Sequence, residues 1–145
     1  MELISDFSTE EAAGLARLPA QRLKDWDKSG FLIASVAAKR RGVSRRYTFR
    51  DVIALRIAAE LRESGVSLQL LRKVVEYLRA REGLSATEVL ARTNLVTNGE
   101  QVYEVAGDVT LHVPSGQRVI GFHVIPLDQV VREVQRQARA LRRAA

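Results

Sequence analysis

Along the first half of the chain, apolar residues recur at steps of three and four; after Gly83 they fall at alternate positions, so helices are expected first and a small sheet later. Phe7, Ser8 and Glu11 form a helix entrance in which Ser8 caps, Glu11 completes a capping box and Phe7 acts as staple, and Ala12, Leu15, Ala16 and Leu18 follow as the inward stripe. Pro19 suits the first turn of a second helix, with Leu23 and Trp26 as its apolar face and Gly30 as a left-handed stop. Phe31, Leu32 and Ile33 read as a short strand and Arg46 and Tyr47 as its return, so residues 31–47 should make a two-stranded wing with Gly42 near the tip. Thr48 and Asp51 open a third helix that is apolar over most of its girth (Val52, Ile53, Leu55, Ile57, Ala58, Leu61) and therefore central, with Gly65 ending it. Ser67 caps a fourth helix whose stripe is Leu68, Leu71, Val74, Val75 and Leu78, ending at Gly83.

Residues 84–90 make a short helix at best, and then the period changes. Leu95, Val96 and Thr97 and the run from Gln101 to Val105 flank Asn98 and Gly99, the strongest short hairpin signal. A second hairpin is expected from residues 109–113 and 118–124 around Pro114, Ser115, Gly116 and Gln117, with Val113 opposite Arg118. That register puts Val109, Leu111, Ile120, Phe122 and Val124 on one face and His112 and His123 on the other, at the surface. Residues 127–143 predict a final helix in which Leu127, Val131, Val134, Ala138 and Leu141 form a short heptad seam, suited to dimerisation or to covering the sheet. The expected fold class is α+β: a winged helix-turn-helix over residues 1–83, mostly α with a two-stranded wing, then a small β-hairpin module with a C-terminal helix over residues 84–145.

A chain of 145 residues, 46% of them hydrophobic, can bury one ordinary core or two small ones. With no cysteine there is no thiolate chemistry and no disulfide, which fits a reducing compartment; no apolar run suits a leader or a membrane span, so a cytoplasmic location is expected. The net charge is +6; residues 1–83 carry 16 Lys and Arg against 11 Asp and Glu, and residues 84–145 carry 7 against 6. The basic character thus belongs to the first half. From Ala37 to Arg50 the residues Lys39, Arg40, Arg41, Arg45, Arg46 and Arg50 occur with no acid, a surface suited to a polyanion. The second helix adds Gln21, Arg22, Lys24, Asp25 and Lys28 on its outer face, and two short helices meeting at a tight corner are a helix-turn-helix signature.

Four blocks in order carry a resemblance: Phe7 to Ala12, Leu23 to Leu32, Arg45 to Thr48 and Leu61 to Leu68. Residues 7–82 resemble the winged-helix DNA-binding domain of the MerR type. The resemblance implies a second helix in the major groove and a wing on the flanking phosphates. It casts Gln21, Arg22 and Lys24 as base-edge or nearby phosphate contacts and Arg40, Arg41, Arg45, Arg46 and Tyr47 as wing contacts; Lys28 and Lys39 join them by charge and position. Asp25 departs from the pattern, which has an aromatic there, and is expected to face solvent. Trp26, Tyr47 and Phe49 also read as packing residues, each lying beside an apolar position.

Sequence-specific recognition of duplex DNA by so small a reader calls for two half-sites, and hence a homodimer. The last helix carries Arg132, Arg136, Arg139, Arg142 and Arg143, a tail able to lie on DNA, to stay disordered or to enter an acidic pocket. A MerR-like reader followed by a hairpin module resembles antitoxins that repress their own operon and neutralise a nuclease toxin, and PIN-type nucleases hold magnesium with clustered carboxylates that an Arg can engage. The alternative is a small-molecule-sensing MerR-like regulator without a toxin partner. No catalytic constellation, cofactor motif or metal-ligand set is present in the sequence, so no enzyme is expected.

Overall fold

Capping chemistry decides where the helices begin and end in the computed structural model, which describes residues 6–34, 45–83, 85–92, 95–97, 102–106, 109–112, 123–125 and 127–144. Helix α1 (Thr9–Ala16) opens on the expected box: the Glu11 N–H donates to Ser8 Oγ at 3.1 Å and the Ser8 N–H to Glu11 Oε1 at 2.9 Å. Helix α2 (Ala20–Ser29) follows Pro19 and stops at Gly30, whose φ of 81° lies in the left-handed region that a Cβ would strain. The α1–α2 corner is turned by Arg17 at φ 60°, a conformation that costs a non-glycine residue about 1 kcal/mol.

Helix α3 (Phe49–Glu63) has the second capping box, Thr48 with Asp51, and α4 (Leu68–Glu82) is capped by Ser67, whose hydroxyl accepts from the Leu70 N–H at 3.1 Å. Helices α5 (Ala86–Arg92) and α6 (Leu127–Ala144) complete the helical set.

The wing differs from expectation. Strand β2 (Tyr47–Thr48) pairs antiparallel with β1 (Asp6–Phe7), in the register Asp6 to Thr48 and Phe7 to Tyr47, while Phe31, Leu32 and Ile33 are not a strand. Helix α2 explains why: the Phe31 N–H closes on the Trp26 carbonyl at 3.0 Å and the Ala34 N–H on Asp27 Oδ1 at 2.8 Å, so these donors turn back to the helix instead of across to a strand. Phe7 and Tyr47, both fully buried, hold the β1–β2 pair to the core. Residues 35–44, with Lys39, Arg40, Arg41 and Gly42, lie outside the described residues.

The later strands β3 (Leu95–Thr97), β4 (Val102–Ala106), β5 (Val109–His112) and β6 (His123–Ile125) pair antiparallel in the order β5-β4-β3-β6. The first hairpin brackets Asn98 and Gly99, with Thr97 opposite Val102. Among the described residues β5 pairs with β4, Ala106 opposite Val109, and β6 pairs with β3, Leu95 opposite Ile125; residues 118–122, expected opposite β5 in the second hairpin, lie outside the described residues. In the sequence only Gly107 and Asp108 separate β4 from β5, the spacing of a two-residue hairpin. The expected Val113 to Arg118 pair, and the side chains assigned to the two faces, including His112 and His123, lie outside the described residues.

Helix α3 is central, packed by α1, α4, α5, α6 and β2. Its expected inward residues are buried, and with them the core takes in Leu15, Leu23, Trp26, Leu71 and Val74. The core also runs past Gly83: Ala86 and Leu90 of α5 and Val130, Val134 and Ala138 of α6 belong to the same buried cluster. The stripe expected as a dimer seam is therefore largely spent within the chain. Val134 and Ala138 are buried against α3 and α1, and Leu127, Val131 and Leu141 are partly covered by the same core. An apolar stripe on a short helix gains more from an adjacent core than from waiting for a second copy.

Among the described residues Arg56 is the most deeply buried charged side chain, with Asp51 next to it in rank. Arg56, 1% exposed on α3, donates from Nη1 to the Leu15 carbonyl at 3.2 Å, from Nε to Glu60 at 3.2 Å and from Nη2 to Glu133 at 2.7 Å. Glu133 is held below the ordinary carboxylate range by the Gln129 amide and by the charges of Arg56 and Arg17, against the opposing effect of its burial. Removing the guanidinium leaves a cavity and strands Glu133, so Arg56→Ala should cost about 2–4 kcal/mol of stability, read from urea denaturation. The acid dependence has a definite sign. A carboxylate with a lowered folded pKa contributes stability that is present above its unfolded value of 4.5 and lost as pH falls through the folded one. The urea midpoint should drop between about pH 5 and about pH 3, and drop less in Glu133→Gln.

Candidate nucleic-acid interface

Helix α2 turns Leu23 and Trp26 inward, which leaves Gln21, Lys24, Asp25 and Lys28 exposed and Arg22 half-buried at the margin. Asp25 faces solvent as expected, and it accepts from the Gln21 amide at 3.0 Å, so the one acid in a cationic row orients a neighbouring polar group. The Arg22 guanidinium lies over the Trp26 ring at 5.7 Å; Trp26 meets Phe31 edge-on at 5.3 Å and 87°; and Arg72 of α4 lies over Phe31 at 5.6 Å. Two cations thus flank an aromatic pair, which narrows the rotamers open to each while leaving their N–H groups able to meet an anion. Arg72 was invisible in the sequence as a site residue, because its place depends on α4 packing beside the turn that follows α2.

Asp27 is the second residue the sequence did not mark. One carboxylate oxygen accepts from the Ala34 N–H at 2.8 Å and the other from Arg45 Nε, so Asp27 grips both flanks of the segment that carries Lys39, Arg40 and Arg41. Arg46 is tied in turn to Asp6, at 2.8 Å from Nη2 and 3.3 Å from Nε. Arg45 and Arg46 each keep more than a third of the side chain exposed, 37% in both cases, so an ion pair holds each of them without hiding it.

Tyr47 is a correction. The resemblance implies a wing contact at this position, yet the residue is fully buried, its hydroxyl at 3.5 Å from the Leu23 carbonyl, and burial together with Asp27 pushes its pKa up to about 12. It fixes β2 against α2 and does not reach a ligand. Trp26 likewise packs in the core, and Phe49 packs partly buried against it.

At the far end of the chain Arg142 is also committed: it donates to Glu11 at 3.1 Å and to the Asp6 carbonyl, and lies over the Phe7 ring at 4.8 Å. Glu11 is lowered below its ordinary range chiefly by the Ser8 backbone N–H, with Arg142 and Arg46 adding to it against burial. Arg132, Arg136, Arg139 and Arg143 stay exposed on α6.

The stretch from β1 to α4 that builds this surface matches the family model described as MerR HTH family regulatory protein, over residues 7–78. Residues 7–78 are a MerR-family helix-turn-helix domain. Uncharacterized HTH-type transcriptional regulators of Mycobacterium bovis and of two strains of Mycobacterium tuberculosis are each 31% identical over 116 residues, covering 78% of this chain and 50% of theirs. The chain spans about half the length of the curated relatives it matches. Among the described residues no helix is long and apolar enough to cross a membrane.

The Asp27 grip in the MerR domain yields a counter-intuitive expectation. Removing an acid from a cationic surface ordinarily strengthens polyanion binding, but Asp27→Ala should weaken duplex affinity roughly fivefold by releasing Arg45 and Ala34. Asp25→Ala, which releases no loop, should not. Fluorescence anisotropy on the two variants separates them, and tighter binding by Asp27→Ala would remove the loop from the interface.

Proposed function

We infer that the protein is a sequence-specific, duplex-DNA-binding transcriptional regulator that works as a homodimer, with α2 of the MerR domain entering the major groove. The observation that carries this reading is the exposed row Gln21, Lys24 and Lys28, with Arg22 held on Trp26, next to a basic segment whose two flanks are gripped by Asp27. The family of residues 7–78 and the regulator names of the relatives support it. Gln and Arg can make bidentate bonds to adenine and guanine edges, while exposed guanidiniums add attraction that depends on salt and not on sequence. Two half-sites, one per protomer, supply the specificity that one short helix lacks.

The antitoxin role, with a PIN-type nuclease as partner, would need the arginines of α6 presented to a carboxylate cluster. Arg142 is engaged with Asp6 and Glu11, which leaves Arg132, Arg136, Arg139 and Arg143 as the exposed ones. The sensing alternative would need a pocket within residues 84–145, whose strand side chains lie outside the described residues.

The decisive experiment selects duplexes from a random pool and measures affinity for the winning sequence. Arg22→Ala should cost about 1–3 kcal/mol and relax the choice at one base position. Arg46→Ala should weaken all duplexes alike and flatten the salt slope by about one unit. Enrichment of no sequence, or identical selection by the Arg22 variant, would refute the assignment of α2 as reader.

A further inference from the structure

Helix α6 is fastened to the molecule along its length. Near its start Glu133 reaches Arg56; Val130, Val134 and Ala138 are buried; and near its end Arg142 clasps Glu11, the Asp6 carbonyl and the Phe7 ring. Its rotation about its own axis is thereby settled. At 100° per residue, Arg132, Arg136, Arg139 and Arg143 fall within a strip about 60° wide, almost opposite the buried face. All four are exposed, and none has an ion-pair partner among the described residues. The sequence holds no acid after Glu133, so nothing later in the helix offsets them.

Four like charges on one strip of a helix repel one another and gain nothing from the fold, so packing does not account for their placement. Their position in the molecule does suggest what they meet. Asp6 joins the end of α6 to the base of the loop: its carbonyl accepts from Arg142 while its carboxylate accepts from Arg46. The end of α6 is therefore fastened beside Arg46, the residue before β2. Arg132 to Arg143 spans about 16 Å along the helix axis, over which one strand of B-DNA presents about five phosphates.

We propose that the outward strip of α6 is a second phosphate-binding surface, which takes the backbone flanking the site read by α2 and extends the contact that begins at Arg46. This rests on the DNA-binding reading above. The occupant is the phosphate backbone of the same duplex, chosen by charge and by the link through Asp6 between the end of α6 and Arg46. Arg142 is a positioning residue here: its own guanidinium is taken up by Glu11 and Asp6, and its role is to hold the strip beside β1.

Non-specific duplex binding is governed by phosphate contacts, so the test does not require a known operator. The full chain and the variant Arg132→Gln, Arg136→Gln, Arg139→Gln, Arg143→Gln are titrated with a labelled mixed-sequence duplex of about 30 base pairs at several salt concentrations. Gln is a good helix former, and unchanged circular dichroism and thermal midpoint establish that the variant is folded. The variant should bind roughly tenfold or more weakly at low salt, and its slope of log K against log salt should flatten by about three units. A second variant, Arg22→Ala with Lys24→Ala, locates any failure. If it loses affinity while the α6 variant binds with an unchanged slope, the inference about α6 falls and the reading of α2 stands. If the unaltered chain binds no duplex, both fall. Capture of an acidic protein through the four arginines, with duplex binding unchanged, also overturns the proposal.

Discussion

A guanidinium buried in the middle of α3 sets the terms for the rest of the molecule. Arg56 carries a charge into a site that excludes water, where each N–H left unpaired would cost as much as several good packing contacts supply. Its donors find the Leu15 carbonyl at the end of α1, Glu60 one turn along its own helix and Glu133 on α6. Each partner carries a geometric consequence. The last turn of α1, which precedes the corner leading to α2, is located against α3, and α6 is located against both. Arg17, in its left-handed turn at that corner, also acts electrostatically on Glu133, so the turn between the two helices and the docking of the final helix respond to one charge cluster.

From that frame the binding surface is built by a division among basic residues. Arg45, Arg46, Arg56 and Arg142 have carboxylate partners on other elements and hold parts together: the flanks of the basic segment, the β1–β2 pair and α6. Lys24 and Lys28 on α2, and the strip on α6, have no ion-pair partner among the described residues and stay exposed. The net charge of +6 is thus an incomplete guide to the surface, since pairing consumes the acids at structural joints and leaves unpaired cations on outward faces. Asp27 shows the principle most clearly. An acid on α2 would repel phosphate if it were free, but its two oxygens are taken by Ala34 and Arg45.

Elements with local causes were legible in the sequence. The capping boxes at Ser8 and Thr48, the stop at Gly30 and the inward stripes of α1 to α4 depend on neighbours within a few positions, and those signals sit in the chain as short motifs. The MerR-like order of four motifs was also readable, since each block is contiguous. What failed to show depends on partners far apart in sequence. Asp6–Phe7 is too short to announce itself as the strand that meets Tyr47–Thr48, and two residues at the chain start compete poorly, on paper, with the apolar Phe31, Leu32 and Ile33. The β4–β5 pairing went unanticipated because Pro114 to Gln117 is a conspicuous turn sequence, whereas Gly107 and Asp108 are a briefer one. Arg56 hid in an apolar helix because a single arginine at an inward position is indistinguishable from an outward one until its three acceptors are in place. Arg142 and Asp27 were obscured in the same way.

The last helix shows how these long-range pairings change function as well as form. Read alone, residues 127–143 offer a seam for a second copy and a tail of five arginines for an acidic partner. Folded, the seam is turned onto α1 and α3, and one arginine is withdrawn to fasten the helix beside β1. Those two commitments are what give the other four arginines a fixed direction. A free basic tail would attract any polyanion weakly and in many poses, losing side-chain and backbone freedom each time it bound. A helix already docked has lost much of that freedom on folding, so its cations would meet a phosphate backbone as a preorganised row with a smaller entropic cost. The buried Arg56–Glu133 contact is therefore more than a joint in the core: by holding α6 in one rotation about its axis, it decides which of its arginines face outward at all.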